Sequence, residues 1–175
     1  LNDSLVLQGN ERAINKKIEG LTRGGYKKNL EAAATLNDSL VEQGNEDAIK
    51  RKISGLLSGE YGYEKNPEAV AIFNDSLVEQ GNKGAIERKI AGLSNGSFGY
   101  EQNPKAAVAF NDSLVEQGNQ QAIERKIEGL AYGKYGYMKN PEAVTAFNDS
   151  LVEQGNEDAI KRKISGLLSD EYGYT

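Results

Sequence analysis

The side chains able to do chemistry return at fixed intervals, and their types are few. Asn74-Asp75-Ser76 recurs at residues 2–4, 37–39, 111–113 and 148–150. A basic pair recurs as Lys16-Lys17, Arg51-Lys52, Arg88-Lys89, Arg125-Lys126 and Arg162-Lys163. A third motif joins aromatics to glycine, as in Tyr61-Gly62-Tyr63, Phe98-Gly99-Tyr100 and Tyr135-Gly136-Tyr137. The chain has no His and no Cys, which removes the commonest acid–base catalyst and metal ligand together with disulfides and thiolate metal sites. Asp and Glu alone remain for proton transfer, and pairs of them across repeats would imitate a glycosidase dyad. Catalysis needs a constellation unlike its surroundings, and no repeat stands apart chemically. The reading is of a protein that is not an enzyme and uses no metal and no cofactor.

Each motif has a use that needs no ligand. Asn-Asp-Ser is formally an N-glycosylation acceptor, but all five copies fall inside predicted helices. At 100° per residue Asn74 lies between Val70 and Val78, at the edge of an apolar stripe, where its amide must be satisfied. A ladder of Asn side chains hydrogen-bonded between adjacent repeats is the expected arrangement. The basic pair divides on the same wheel. Lys89 falls on the packed side, where it should reach a carboxylate or helix C-terminal carbonyls with only its stem buried. Arg88 falls opposite Ile86 and Ile90, which predicts an outward row of arginines. That row is either a solvated face balanced by Glu87 and Glu124 or a stripe for an acidic partner. In each aromatic loop one ring should staple the loop to the helices, leaving Tyr61, Phe98 and Tyr135 as half-exposed platforms for a glycan or peptide.

The elements that carry these residues are set by one phrase, Leu77-Val78-Glu79-Gln80-Gly81-Asn82. It recurs at residues 40–45, 114–119 and 151–156, with a variant at 5–10, so the central glycines are spaced by 35, 37, 37 and 37 residues. A fixed period in this range marks a stack of like units that cannot bury their apolar faces alone. Glycine supplies the left-handed residue that ends a helix, and the asparagine caps the next one. Two residues of link force an antiparallel hairpin. Asn66-Pro67, repeated at 103–104 and 140–141, starts the first helix with proline where its missing N–H is harmless. That helix should run from Pro67 to about Gln80, with Ala69, Val70, Phe73 and Leu77 inward. The second should run from Asn82 to about Leu93. Gly20, Gly55, Gly92, Gly129 and Gly166 sit late in the second helices, at about 1 kcal/mol each against alanine; close approach of a neighbouring helix is the expected reason. The first loop, Arg23-Gly24-Gly25-Tyr26, is short, and in the last copy Asp170 replaces glycine.

The run Asn66-Pro67-Glu68-Ala69-Val70, then Glu79-Gln80-Gly81-Asn82 and Ala85, then a glycine and tyrosine loop and another Asn-Pro, resembles Sel1-like repeats, a branch of the tetratricopeptide-like helical-hairpin solenoids. The resemblance covers the whole chain, about four and a half units. It departs from the family at Leu77-Val78, where two alanines are usual, in the Lys-Ile-x-Gly-Leu stretch and in the longer loops. It implies an α/α superhelix, right-handed, whose second helices line a concave side, and an adaptor that holds partner proteins. It also implies a bacterial source, with envelope or secreted location among the roles of such proteins, and brings no catalytic residues.

The expected fold is therefore all-α, a solenoid of hairpins of about 37 residues forming one array over residues 1–175. The expected function is a protein-binding scaffold. Lys50, Arg51, Ser54, Glu87, Arg88, Glu124, Arg125, Glu128 and Arg162 are its candidate partner-binding residues, since exposed positions there change from repeat to repeat while the core repeats. A structural spacer or self-assembling array is the second expectation, because residues 40–58 and 151–169 are identical. Glycan or peptide binding by the tyrosine loops is the third. A net charge of −5 gives no support to nucleic-acid binding, and no apolar run approaches the roughly 20 residues of a membrane span. Both ends fall inside a repeat, which reads as a piece of a longer array.

Overall fold

The structure, a computed structural model, describes residues 6, 10–23, 29–169 and 171–174. The first aromatic loop and Asp170 lie outside the described residues. Among those described, the fold is all-α, with nine helices and no strand. In chain order they are α1 (Glu11–Arg23), α2 (Leu30–Glu42), α3 (Glu46–Ser58), α4 (Pro67–Glu79), α5 (Lys83–Asn95), α6 (Pro104–Glu116), α7 (Gln120–Tyr132), α8 (Pro141–Glu153) and α9 (Glu157–Ser169). None is long and apolar enough to cross a membrane.

Asparagine starts every one of them. The Oδ1 atoms of Asn10, Asn29, Asn45, Asn66, Asn82, Asn103, Asn119, Asn140 and Asn156 each accept from the backbone N–H three residues on, at 2.8–3.1 Å. The N–H that is capped always belongs to an alanine, a pairing visible in the sequence as Asn-x-x-Ala. Glycine ends the first helices as expected: Gly44, Gly118 and Gly155 have φ of 74–77°. The Gly118 N–H donates to Val115 O at 2.9 Å and the Asn119 N–H to Leu114 O at 3.0 Å, the paired bonds of a Schellman motif. Asn119 therefore closes one helix with its backbone and opens the next with its side chain. No residue is left over between them, so the hairpin is tight.

The chain forms two compact units, Leu1–Gln80 and Gly81–Thr175. In the first, each of α1 to α4 packs on its neighbours in sequence. Ile14, Ile18 and Leu21 of α1 meet Ala33 and Leu40 of α2 and Ala48 of α3 in one apolar cluster. In the second, α5 to α9 pack in the same sequential way, and Ile123 and Ile127 of α7 meet Val144 and Leu151 of α8 and Ala159 of α9. Within each unit the pattern is that of helical hairpins stacked in chain order, each completing the shelter of the one before.

The late-helix glycines have a different reason from the one expected. A Cβ built on Gly55, Gly92, Gly129 or Gly166 would run into the ring of Tyr63, Tyr100, Tyr137 or Tyr174 respectively, and into a carbonyl of the same loop. The neighbour that requires glycine is thus the loop tyrosine, folded back against its own helix, and not another helix. A Cβ built on the loop glycines Gly62, Gly136 or Gly173 would likewise run into the backbone carbonyl of Leu30, Pro104 or Pro141 respectively. Each loop is thereby pressed onto the first turn of its hairpin's first helix.

Candidate protein-binding face

The repeated asparagine is buried wherever it is described, and in three hairpins its partners define the centre. Asn37, Asn74, Asn111 and Asn148 are all 0% exposed, deeper than a stripe edge. Asn111 Nδ2 donates to Ala122 O at 3.0 Å and to the Tyr137 hydroxyl at 2.9 Å. Its Oδ1 accepts from Arg125 Nη1 at 2.7 Å. Asn37 makes the same set with Ala48, Tyr63 and Arg51, and Asn148 with Ala159, Tyr174 and Arg162. The expected ladder from asparagine to asparagine is thus corrected: the amides of Asn37, Asn111 and Asn148 are each used up inside their own hairpin, tying first helix, second helix and loop together. Burial leaves the asparagine no role as a glycosylation acceptor in the folded chain.

The tyrosine hydroxyl passes the network outward. Tyr137 donates to Asp112 Oδ1 at 2.6 Å and Tyr63 to Asp38 at 2.7 Å. Burial, and then these carboxylates, hold both hydroxyls well above the ordinary tyrosine range. The same aspartates take the repeated lysine, Lys52 to Asp38, Lys126 to Asp112 and Lys163 to Asp149, each at 3.0 Å. The expected lysine–carboxylate contact is therefore present. The Asp149 carboxyl lies below its usual range because Tyr174 and Lys163 both donate to it. Each of Lys52 and Lys126 also lies 4.9 Å from the ring of a phenylalanine in the following hairpin, Phe73 and Phe147, within cation–π range.

The arginines do not face outward. Arg125 is only 5% exposed, Arg51 and Arg88 are half-buried, and the Arg162 side chain is 10% exposed. The helical wheel treats the far side of the second helix as solvent, but in a stack that side meets the previous hairpin. There Arg125 pairs with Glu87, Arg162 with Glu124 at 2.6 Å, and Arg51 with the Asn15 amide at 3.1 Å. Their guanidiniums are fixed by a buried amide on one side and a neighbour on the other. A basic stripe for an acidic partner is not what these side chains present.

What remains open on the second helices is carboxylate, amide and aromatic surface. Glu87, Glu124 and Glu128 keep 50%, 49% and 39% of their side chains exposed. With Gln120, Gln121, Arg125 and Tyr135 they line a groove of about 270 Å³ in the second unit. Glu128 accepts from Lys134 and from the Tyr135 hydroxyl, and these donors hold its carboxyl below the ordinary glutamate range. Beside it, Glu87, Arg88, Ala91, Phe98 and Tyr135 border a second hollow of about 260 Å³. Tyr61, Phe98 and Tyr135 sit at φ of 53–56°, a region costing an L-residue on the order of 1–3 kcal/mol. Nothing in the residue pattern signals that strain, because the glycine next door looks like the natural left-handed residue. Tyr61 is 36% exposed and Phe98 and Tyr135 are half-buried. Lys50 lies exposed beside Asp47 and Ser54 is exposed, so in the first unit this face carries different chemistry.

No group of three or more metal-binding side chains occurs among the described residues. Comparison of the chain with protein-family models, with curated proteins and with solved structures gives no match. The functional reading therefore rests on the geometry.

Proposed function

We propose that this chain is a non-catalytic protein-binding scaffold of Sel1-like type, and that the second-helix face of its second unit receives a basic segment of a partner protein. The contrast between constant and variable positions supports this. The network residues Asn, Asp, Arg and Lys keep their types through residues 37–163, with Asn111, Asp112, Arg125 and Lys126 as one set. The groove positions do not: Glu128 corresponds to Ser54 and Ala91, Glu124 to Lys50 and Lys161, and Gln121 to Asp47 and Gly84. A fixed frame with changing exposed chemistry suits recognition. Three partly exposed carboxylates around a tyrosine ring suit an Arg or Lys side chain, which takes charge-assisted bonds and a ring face together.

Calorimetric titration with a Lys/Arg-rich nonapeptide, and with a Glu-rich one of equal length, tests the reading. The basic peptide should bind, with affinity reduced about tenfold, or 1.4 kcal/mol, in Glu128→Gln with Tyr135→Phe, and further weakened by salt. Equal binding of both peptides, or preference for the acidic one, would overturn it. The identity of α3 and α9 in sequence favours a second reading, a spacer or self-assembling array. Light scattering separates the two, since assembly grows with concentration and a scaffold does not.

A further inference from the structure

The hollow beside Phe98 recurs one repeat on. Glu87, Ile90, Ala91 and Tyr135 border the first, of about 260 Å³. Their counterparts Glu124, Ile127, Glu128 and Tyr172 border the second, of about 300 Å³. The floor is what differs. Glu128 accepts from the Tyr135 hydroxyl of its own loop at 2.9 Å. Both ends of that bond are missing from the hairpin of α5, where the floor is Ala91 and the loop ring is Phe98. The other second helices carry Glu19, Ser54, Glu128 and Ser165 at the floor position, and the corresponding rings Tyr61, Tyr135 and Tyr172 all keep a hydroxyl. Two polar groups are thus replaced by hydrocarbon in one hairpin, at positions that bond to each other in the next.

We propose that the hollow between Ala91, Phe98 and Tyr135 is an anchor pocket for one apolar side chain of about leucine size, carried by the same basic segment that the second-helix face receives. This rests on the basic-segment reading and adds a register to it. Each hollow has a carboxylate at its rim, Glu87 or Glu124, paired with an arginine of the next second helix, so the floor decides which side chain enters. Ala91, Phe98 and the buried Ile90 offer no hydrogen bond. A charged side chain set against them would lose water without replacement, whereas an apolar one gains by the area it buries. Over Glu128 the preference reverses, since a cation finds charge-assisted acceptors there. The arginine–glutamate pairs also set the spacing. They join α5 to α7 and α7 to α9, which places consecutive second helices side by side, at about 10 Å. An extended chain advances about 3.3 Å per residue, so about three residues separate the apolar side chain from the basic one.

Calorimetry with paired peptides tests the pocket. The reference is a Lys/Arg-rich nonapeptide with a central arginine and serine three places to either side of it. The probe has leucine at both places, which serves either chain direction. The leucine peptide should bind about tenfold tighter and should move the Ala91 methyl resonance, which the serine peptide leaves in place. Ala91→Glu should bring the two peptides to equal affinity. It installs the residue that α7 carries as Glu128, so the fold accepts it, which circular dichroism checks. A leucine gain that survives Ala91→Glu, or an equal gain with leucine moved next to the arginine, overturns the anchor. Binding of the serine peptide with no leucine gain overturns the anchor alone and leaves the basic-segment reading standing. Failure of both peptides to bind overturns the two together.

Discussion

Asn111 shows how much of the stability of a hairpin passes through one side chain. It uses both amide protons and its carbonyl, on Ala122, Tyr137 and Arg125, at 0% exposure. Asn111→Ala would take one hydrogen-bond partner each from a buried carbonyl, from a hydroxyl that keeps Asp112 and from a buried guanidinium that keeps Glu87. Each buried bond lost costs about 1 kcal/mol, more when charged, so a loss of about 3 kcal/mol in urea unfolding of the second unit is expected. Tyr63 and Tyr137 add a pH dependence. Their folded-state hydroxyls are held above the ordinary range by burial and by Asp38 and Asp112, while the unfolded chain deprotonates at a pH of about 10. Below that pH both states keep the proton and stability does not depend on it. Above it the unfolded state loses its proton first, so stability falls as pH rises, by up to about 1.4 kcal/mol per unit for each tyrosine. Urea midpoints measured across that range should fall less steeply in Tyr63→Phe with Tyr137→Phe.

At the scale of the element, the hairpin is legible because every helix boundary is written by residues with a conformational reason. Gly118 has φ of 74° and Asn119 makes the cap, so Gly118→Ala and Asn119→Ala should each cost about 1 kcal/mol in thermal unfolding. Gly129 is the opposite case. In an open helix Gly→Ala stabilises by about 1 kcal/mol, but here the new methyl meets the Tyr137 ring. Gly129→Ala should destabilise by about 1–3 kcal/mol, and by less in a Tyr137→Leu background, where the obstruction is smaller. That contact is not legible in the sequence, because a loop folding back onto its own helix leaves no periodic trace. The arginine row misleads for a related reason. Position on a wheel gives the direction of a Cα, whereas the long arm of Arg125 turns inward to whichever polar group burial has left for it: the hairpin brings Asn111 within its reach and the stacking brings Glu87. Lys126 is legible, since its Cα already lies on the packed side.

Within each unit the described helices touch their neighbours in sequence, and this decides how damage spreads. In the first unit α1 to α4 pack only in chain order among the described helices, and in the second α5 to α9 do the same. A globule with one core shares the loss of any buried group through all its elements, but a stack responds first where the group is lost and at its nearest neighbours. Asn37 and Asn148 hold equivalent networks in different units, so they make a matched pair. Asn37→Ala should raise amide exchange in α2 and α3 while leaving α8 and α9 near their original rates, and Asn148→Ala should do the reverse. Hydrogen exchange monitored by peptide mass spectrometry resolves the two patterns. Equal acceleration in both units from either substitution would mean that the chain opens as one cooperative body, and the sequential packing would then not be what sets its stability.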